Sequence, residues 1–247
     1  MLSAIIIQII TNYINDLYDF LNGADTNRIG PQRMLQSGLL SQSEITRAIK
    51  ILFILAILCG LPLVIHGGWI ILMIGLSAFL FAYLYTGGPF PLAYHGLGDL
   101  FVFIYFGLLS VIGTYYLQTG FIDNNAIWLG ISIGAKNVLL LVVNNIRDYS
   151  GDKSVNKNTL VVKWGKKFGY LQVITMILLS YTGIFFLSLG LQNSLGIFYV
   201  SIISIPLSIN IFYDICSKKG QILNKTLGKV IVLLCLDASL LAYGILL

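Results

Sequence analysis

Long apolar runs almost free of charge dominate this chain, and they decide what it can fold into. A helix needs about 20 apolar residues to cross the hydrocarbon core of a bilayer. Runs of that order occupy residues 2–20, 45–65, 68–86, 97–118, 126–146, 168–190, 194–214 and 228–247. Charged residues make up 10% of the chain against 57% hydrophobic, and mean hydropathy is +0.87. A soluble domain carries closer to about a quarter charged residues, so the balance excludes one. The runs are continuous rather than alternating, which excludes a β-barrel. The expected fold is all-α: a polytopic membrane helical bundle of about eight transmembrane helices, forming a single transmembrane domain over 1–247. Cys59, Cys216 and Cys235 lack CxxC spacing and read as small hydrophobes, and the N-terminal run lacks the basic start and cleavage site of a leader.

The net charge of +5 reflects topology rather than a nucleic-acid surface, and no nucleic-acid partner is expected. Threading the chain through eight spans puts every Lys and Arg except Lys136 on one side. These are Arg28, Arg33, Arg47 and Lys50, then Arg147, Lys153, Lys157, Lys163, Lys166 and Lys167, then Lys218, Lys219, Lys225 and Lys229. The opposite connections, at His66-Gly67, 119–125 and 191–193, hold none. The positive-inside rule makes the basic side cytoplasmic and places both termini across a cell membrane.

Against this background the polarity of "TNYINDLYDFLNGAD", Thr11 to Asp25, stands out. Asn12, Asp16, Asp19 and Gly23 form one helical stripe, and Asn15-x3-Asp19 is echoed by Asn144-x3-Asp148-x3-Asp152 in "NNIRDYSGD". Spacing of four puts such residues one turn apart on one face. The echo predicts a repeated bundle whose two stripes face each other across a cavity. Carboxylates near the hydrocarbon boundary are costly, and beside a helix C-terminus they also oppose the macrodipole. A cluster of them calls for a cation. The donors are all oxygens, which favours Mg²⁺ over zinc, and Mg²⁺ commonly joins one or two carboxylates to a substrate phosphate. Bases interleave with the acids: Arg28 and Arg33 follow the first set, while Arg147, Lys153 and Lys157 run through the second. Such alternation suits a metal–diphosphate, acids on the metal and bases on the phosphate oxygens. At a membrane boundary the diphosphate would carry a lipid tail. Between the two sets, "YTGGPFPLAYHGLGDL" is rich in Gly and Pro and breaks the helical pattern.

These stretches, "NDLYDFLNGADTNRIGPQR", "YTGGPFPLAYHGLGDLFVFIYFG" and "NNIRDYSGDKSVNKNTLVVKWG", resemble the UbiA superfamily of intramembrane prenyltransferases. They are most similar to its 1,4-dihydroxy-2-naphthoate polyprenyltransferase branch. Other branches usually carry a third Asp where Gly23 stands and an Arg-Pro after it. This chain has Gly23-Ala24-Asp25 and Gly30-Pro31-Gln32-Arg33. Asn156 stands where relatives usually have Gly, and the family's nine-helix fold has one more helix ahead of Met1.

The resemblance implies a Mg²⁺-dependent transfer of a polyprenyl group from prenyl diphosphate to dihydroxynaphthoate. The transfer proceeds with decarboxylation, towards demethylmenaquinone in menaquinone synthesis. It implies Asn15, Asp16, Asp19 and Asp25 in the first metal set and Asn144, Asp148 and Asp152 in the second, with Asp16, Asp19, Asp148 and Asp152 central to catalysis. Arg28, Arg33, Arg147, Lys153 and Lys157 would meet the diphosphate. Tyr85, Tyr94 and Tyr149, with Tyr13 and Tyr18, offer faces to an allylic cation, and His95 a contact to the aromatic acceptor. Lys136 and Asp237, each inside an apolar run, read either as a pair or, for Lys136, as a partner for the acceptor's carboxylate. Three other readings stay open: another quinone precursor such as homogentisate or hydroxybenzoate; a transporter or cation channel, which would place polar groups nearer the midplane; and a truncated, weakly active or non-catalytic relative lacking the family's first helix.

Overall fold

The computed structural model describes residues 1–26, 29–191 and 194–246, and all the regular structure among them is helical. The elements that matter below are α1 (Leu2–Leu21), α2 (Gln42–Leu84), α3 (Gly98–Phe103), α4 (Ser110–Thr119), α5 (Asn124–Ser154), α6 (Leu160–Trp164), α7 (Lys166–Gly190), α8 (Ser194–Ile202), α9 (Ile205–Ser217) and α10 (Leu223–Leu246). The all-helical expectation holds. Five described segments are long and apolar enough to cross a membrane: Gln42–Leu84, Gly98–Thr119, Asn124–Ser154, Lys166–Gly190 and Gly220–Gly244.

That measure does not return the expected eight, for identifiable reasons. The runs 45–65 and 68–86 join into α2, interrupted only by non-helical backbone at Gly68 (φ 67°, ψ −155°). The run 194–214 is split between α8 and α9. Helix α1 is long enough, but the Asn and Asp of its second half make it too polar to qualify.

The chain divides into two compact units. The first comprises Met1–Gly98 and Ser150–Thr159. In it α1 packs on α2 through Ile10, Ile14 and Ala56, and Leu17 meets Leu35 and Ile45. A capping box starts α2: Glu44 N–H donates to Ser41 Oγ, and Ser41 N–H returns a bond to Glu44 Oε2 (2.8 Å). Along α2, Ile54, Leu58, Leu61, Trp69 and Met73 are exposed, the apolar outer surface that lipid demands.

The second unit comprises Asp99–Tyr149 and the chain from Leu160 onward. Its core is built around α5, whose Val138, Leu139, Val142, Val143 and Ile146 pack with Val173 of α7, Ile211 and Ile215 of α9, and Leu223, Val230 and Leu233 of α10. Between α3 and α4 the helix widens to a π-turn over Ile104–Leu109, where Gly107 lies against the Gly134 backbone of α5. Midway along the helices the structure pairs Lys136 with Asp237, Nζ to Oδ2 2.7 Å, and both side chains are buried.

Candidate active site

In the first unit, the polar stripe of α1 becomes a site because the chain after the helix turns straight back over it. Gly23 ends the helix with a left-handed backbone (φ 74°), while Ala24 N–H donates to the Asp19 carbonyl (2.8 Å). An Asp there would have to adopt that conformation, which glycine takes without cost. Leu35 then anchors the return by burying itself beside Leu17 and Ile45. This seats the Met34 N–H on Asp16 Oδ2 (3.0 Å) and brings Arg33 to the two neighbouring carboxylates.

Asp16, Asp19 and Asp25 are all buried. Arg33 forks between them, Nη2 to Asp19 Oδ2 at 3.3 Å and Nε to Asp25 Oδ2 at 3.8 Å. Asp19 also receives Lys157 Nζ (3.3 Å to Oδ1) and the Tyr94 hydroxyl (2.9 Å). Lys157 reaches it from the segment after α5, where Lys157 N–H donates to the Asp152 carbonyl and Asn158 N–H to the Tyr94 carbonyl. The turn between them puts Asn156 at φ 56°, the left-handed region where Asn is tolerated better than most residues. Asn156 is therefore accommodated in this turn. Asp152 is buried in the same unit, and Lys153 is exposed on the last turn of α5.

The YTGGP turn supplies the remaining wall. Thr86, itself buried, donates to Asn15 Oδ1 (2.8 Å). A Cβ on Gly87 would stand 2.9 Å from the Tyr18 ring and 2.9 Å from the Tyr83 carbonyl, so only glycine lets the turn close on α1. Tyr94 is buried, and burial followed by the Asp19 charge pushes its phenol well above the ordinary range, keeping it a donor. The face of its ring already carries a cation, Lys157 Nζ, 5.2 Å from the centroid. His95 is held within the turn, stacked on Phe90 with Nδ1 2.8 Å from the Pro91 carbonyl oxygen. Tyr85 takes part through its backbone, its carbonyl accepting from Ala93 N–H (2.9 Å). Arg28 lies outside the described residues.

The second acidic set lies in the second unit, apart from Asp152. Arg147 grips Asp148 with both Nε (2.7 Å) and Nη2 (2.6 Å), donates to Asn144 Oδ1 through Nη2, and to Asn224 Oδ1 through Nη1 (2.8 Å). Tyr149 packs against the α5 core beneath Lys166, whose Nζ is 5.1 Å from the ring centroid. Thr86, the Met34 amide and Asn224 were not among the expected site residues. The first lay inside a motif already singled out, the second is a backbone group, and nothing local marks Asn224.

A metal would find hard oxygen donors here. Among the described residues no three His, Cys, Asp or Glu side chains converge to hold an ion unaided. Asp16 Oδ1, however, is buried without a hydrogen-bond partner among them. A solvent-excluded carboxylate oxygen left unbonded is expensive, and one or two carboxylates completed by water and phosphate is the usual Mg²⁺ environment. The residues present fit that ion.

Fold and site together define a polytopic membrane protein with a buried acid–base site at a helix end. Residues 1–221 match the UbiA prenyltransferase family, to which the chain belongs. It is an integral membrane prenyltransferase by family. It is 32% identical over its whole length to a 1,4-dihydroxy-2-naphthoate octaprenyltransferase of Haemophilus influenzae, covering 82% of that protein. A protein of the same description from Escherichia coli is 38% identical over 67% of this chain, and the human UbiA prenyltransferase domain-containing protein 1 is 30% identical over 69%. The matched regions span 56% and 51% of those two relatives.

Proposed function

We propose that the chain transfers a polyprenyl group from its diphosphate to 1,4-dihydroxy-2-naphthoate with loss of CO₂, on the cytoplasmic side of the membrane. The observation that carries this is the Asp16–Asp19 pair of α1, buried, one oxygen unbonded, and flanked by Arg33 and Lys157. The likeness to the 1,4-dihydroxy-2-naphthoate octaprenyltransferases of Haemophilus influenzae and Escherichia coli supports the acceptor.

Asn15, Asp16, Asp19 and Asp25 in the first set, and Asn144, Asp148 and Asp152 in the second, would hold Mg²⁺. Bound there, the ion supplies Lewis-acid neutralisation of charge growing on the departing diphosphate. The protein's part follows from its own pairs. Arg33 and Lys157, shared with Asp19 in this structure, present N–H donors to phosphate oxygens, and Arg28 and Lys153 complete the proposed basic set, while Arg147 is held by Asp148. Tyr94 holds Asp19 in place while its ring face is turned to a cation. That face, with Tyr85 and Tyr149, would steady the allylic cation left when the C–O bond breaks and its electron pair leaves with diphosphate. His95 lies in the turn proposed to meet the acceptor. An electron-rich ring carbon then forms the new C–C bond, and the carboxylate on that carbon leaves as CO₂, returning its electron pair to the ring. Burial keeps water from capturing the cation.

The test is an assay of membranes containing the protein with prenyl diphosphate, dihydroxynaphthoate and Mg²⁺. Homogentisate and hydroxybenzoate serve as parallel acceptors, with Asp19→Ala and Asp148→Ala as variants. Prenylated naphthoquinol that depends on the metal and on both aspartates is expected. Turnover that survives both changes, or needs no divalent metal, refutes the mechanism; preference for another acceptor refutes the substrate.

A further inference from the structure

We propose that Asn224, on the first turn of α10, is a positioning residue for the second acidic set, acting through Arg147; this rests on the prenyl-transfer reading above. The Arg147 side chain is 1% exposed. Its Nε and Nη2 are committed to Asp148, Nη2 also to Asn144, and Nη1 to Asn224. A guanidinium has five N–H donors in a fixed fork. With four of the five so engaged and the side chain buried, Arg147 orients the second set instead of serving as a mobile phosphate ligand. Asp148, whose side chain is 22% exposed, lies within reach of solvent and ligand. Its carboxylate keeps lone pairs beyond those Arg147 occupies.

What aims the fork is α10. Leu223 is buried among the α5 core residues and fixes the start of the helix. Asn224, next to it, therefore stands at a defined place beside Arg147. The same two helices are pinned a second time, by Lys136 of α5 and Asp237 of α10. Lys136 and Arg147 lie about 16 Å apart along α5 at about 1.5 Å per residue. Asn224 and Asp237 are similarly spaced along α10, which runs the opposite way. Two polar pins at that separation prevent α5 from turning or sliding against α10, and so set the direction in which Asn144 and Asp148 project. Asn224 is uncharged, so its removal leaves the net charge of the acidic set unchanged; it acts by geometry. It also lies past the residues matched by the family, 1–221.

Loss of a partner that orients metal ligands typically weakens metal affinity about 10–100-fold. The full-length protein in detergent, without acceptor, is titrated with Mg²⁺ at fixed inorganic diphosphate while thermal unfolding is followed. Asn224→Leu should raise the Mg²⁺ needed for half-maximal stabilisation about tenfold or more. Asn224→Asp, which keeps an acceptor oxygen for Nη1, should restore it to within about twofold. Asn224→Leu combined with Arg147→Lys should be no worse than Arg147→Lys alone, because both break one linkage. In turnover, Asn224→Leu should raise the Mg²⁺ requirement and leave the KM for prenyl diphosphate at saturating Mg²⁺ unchanged. Should the leucine variant not be recovered folded, Asn224→Ala takes its place with the same expected shift. An Asn224→Leu titration that overlays the wild type, or effects of the two substitutions that multiply, overturns the proposal while leaving the prenyl-transfer reading intact. A wild type that neither responds to Mg²⁺ with diphosphate nor turns over prenyl diphosphate overturns both.

Discussion

Replacing Asp19 by Asn removes one charge and keeps the shape, and the structure says what that should cost. Asp19 is 3% exposed, with Arg33 and Lys157 each at 3.3 Å and the Tyr94 hydroxyl at 2.9 Å. Each ion pair is worth about 5 kcal/mol of Coulomb attraction at an effective dielectric of about 20, most of it offset by desolvation. Breaking a buried pair by removing one partner typically costs about 3–5 kcal/mol. The Arg33 and Lys157 side chains are 19% and 17% exposed, so both regain some hydration and the figure falls to about 2–3 kcal/mol. For a chain of this size that is a drop of roughly 5–10 °C in the unfolding midpoint. Asp19→Ala should cost about 1–3 kcal/mol more, because the buried Tyr94 hydroxyl then loses its acceptor. Thermal unfolding of the detergent-solubilised protein checks the order wild type, Asn, Ala. Lys157→Met added to Asp19→Asn should lower stability by less than the sum of the two, since each alone strands the other's partner. An unchanged midpoint for Asp19→Asn, or strict additivity with Lys157→Met, would refute the network.

Other expectations follow from single features. Because Tyr94's phenol is raised, its hydrogen bond to Asp19 is fully present below about pH 10, the ordinary phenol value, and is lost only as pH climbs towards the higher folded value. The stability gap between wild type and Tyr94→Phe should therefore be flat from about pH 6 to 9; a gap that closes in that window would contradict the assignment. Gly87→Ala, whose Cβ meets the Tyr18 ring and the Tyr83 carbonyl, should destabilise by about 1–3 kcal/mol. Gly151→Ala, with open space around it in a helix, should be neutral or gain about 0.5–1 kcal/mol, and the same unfolding measurement compares them. Asp237→Ala strands a buried Lys136 and should cost about 3–5 kcal/mol, whereas Lys136→Met with Asp237→Leu should recover most of it, read as folded yield and midpoint.

Much of this was legible in the chain because it is written in local periodicity. The Asn12–Asp16–Asp19 stripe, the closing power of the YTGGP glycines and the helical character of every apolar run depend on residues within a few turns of one another. The resemblance expects Gly where Asn156 stands, and the left-handed backbone found there is one that Gly and Asn both adopt. What spacing does not reveal is which side chain answers which across long sequence distances. Arg147 reads as a diphosphate ligand by proximity to acids, yet its buried fork is occupied by Asp148, Asn144 and Asn224. Lys136 and Asp237 carried two readings until the packing of α5 and α10 joined them. The segmentation of the spans escaped for a related reason. Whether two apolar runs continue through Gly68 or break before α9 depends on backbone conformation that hydropathy does not encode.

The arrangement around Asp19 bears on how the product would leave. For Arg33 and Lys157 the carboxylate is a rival anion tethered beside them, present at an effective concentration far above that of any free ligand. A diphosphate held by these bases, as proposed, would compete with a neighbour that cannot diffuse away. Once the prenyl group has gone, the internal anion can reclaim its cations one at a time and ease the inorganic product out. Such a site trades tightness for turnover, and it would never stand as a bare cluster of positive charge at the membrane surface, inviting lipid headgroups to occupy it.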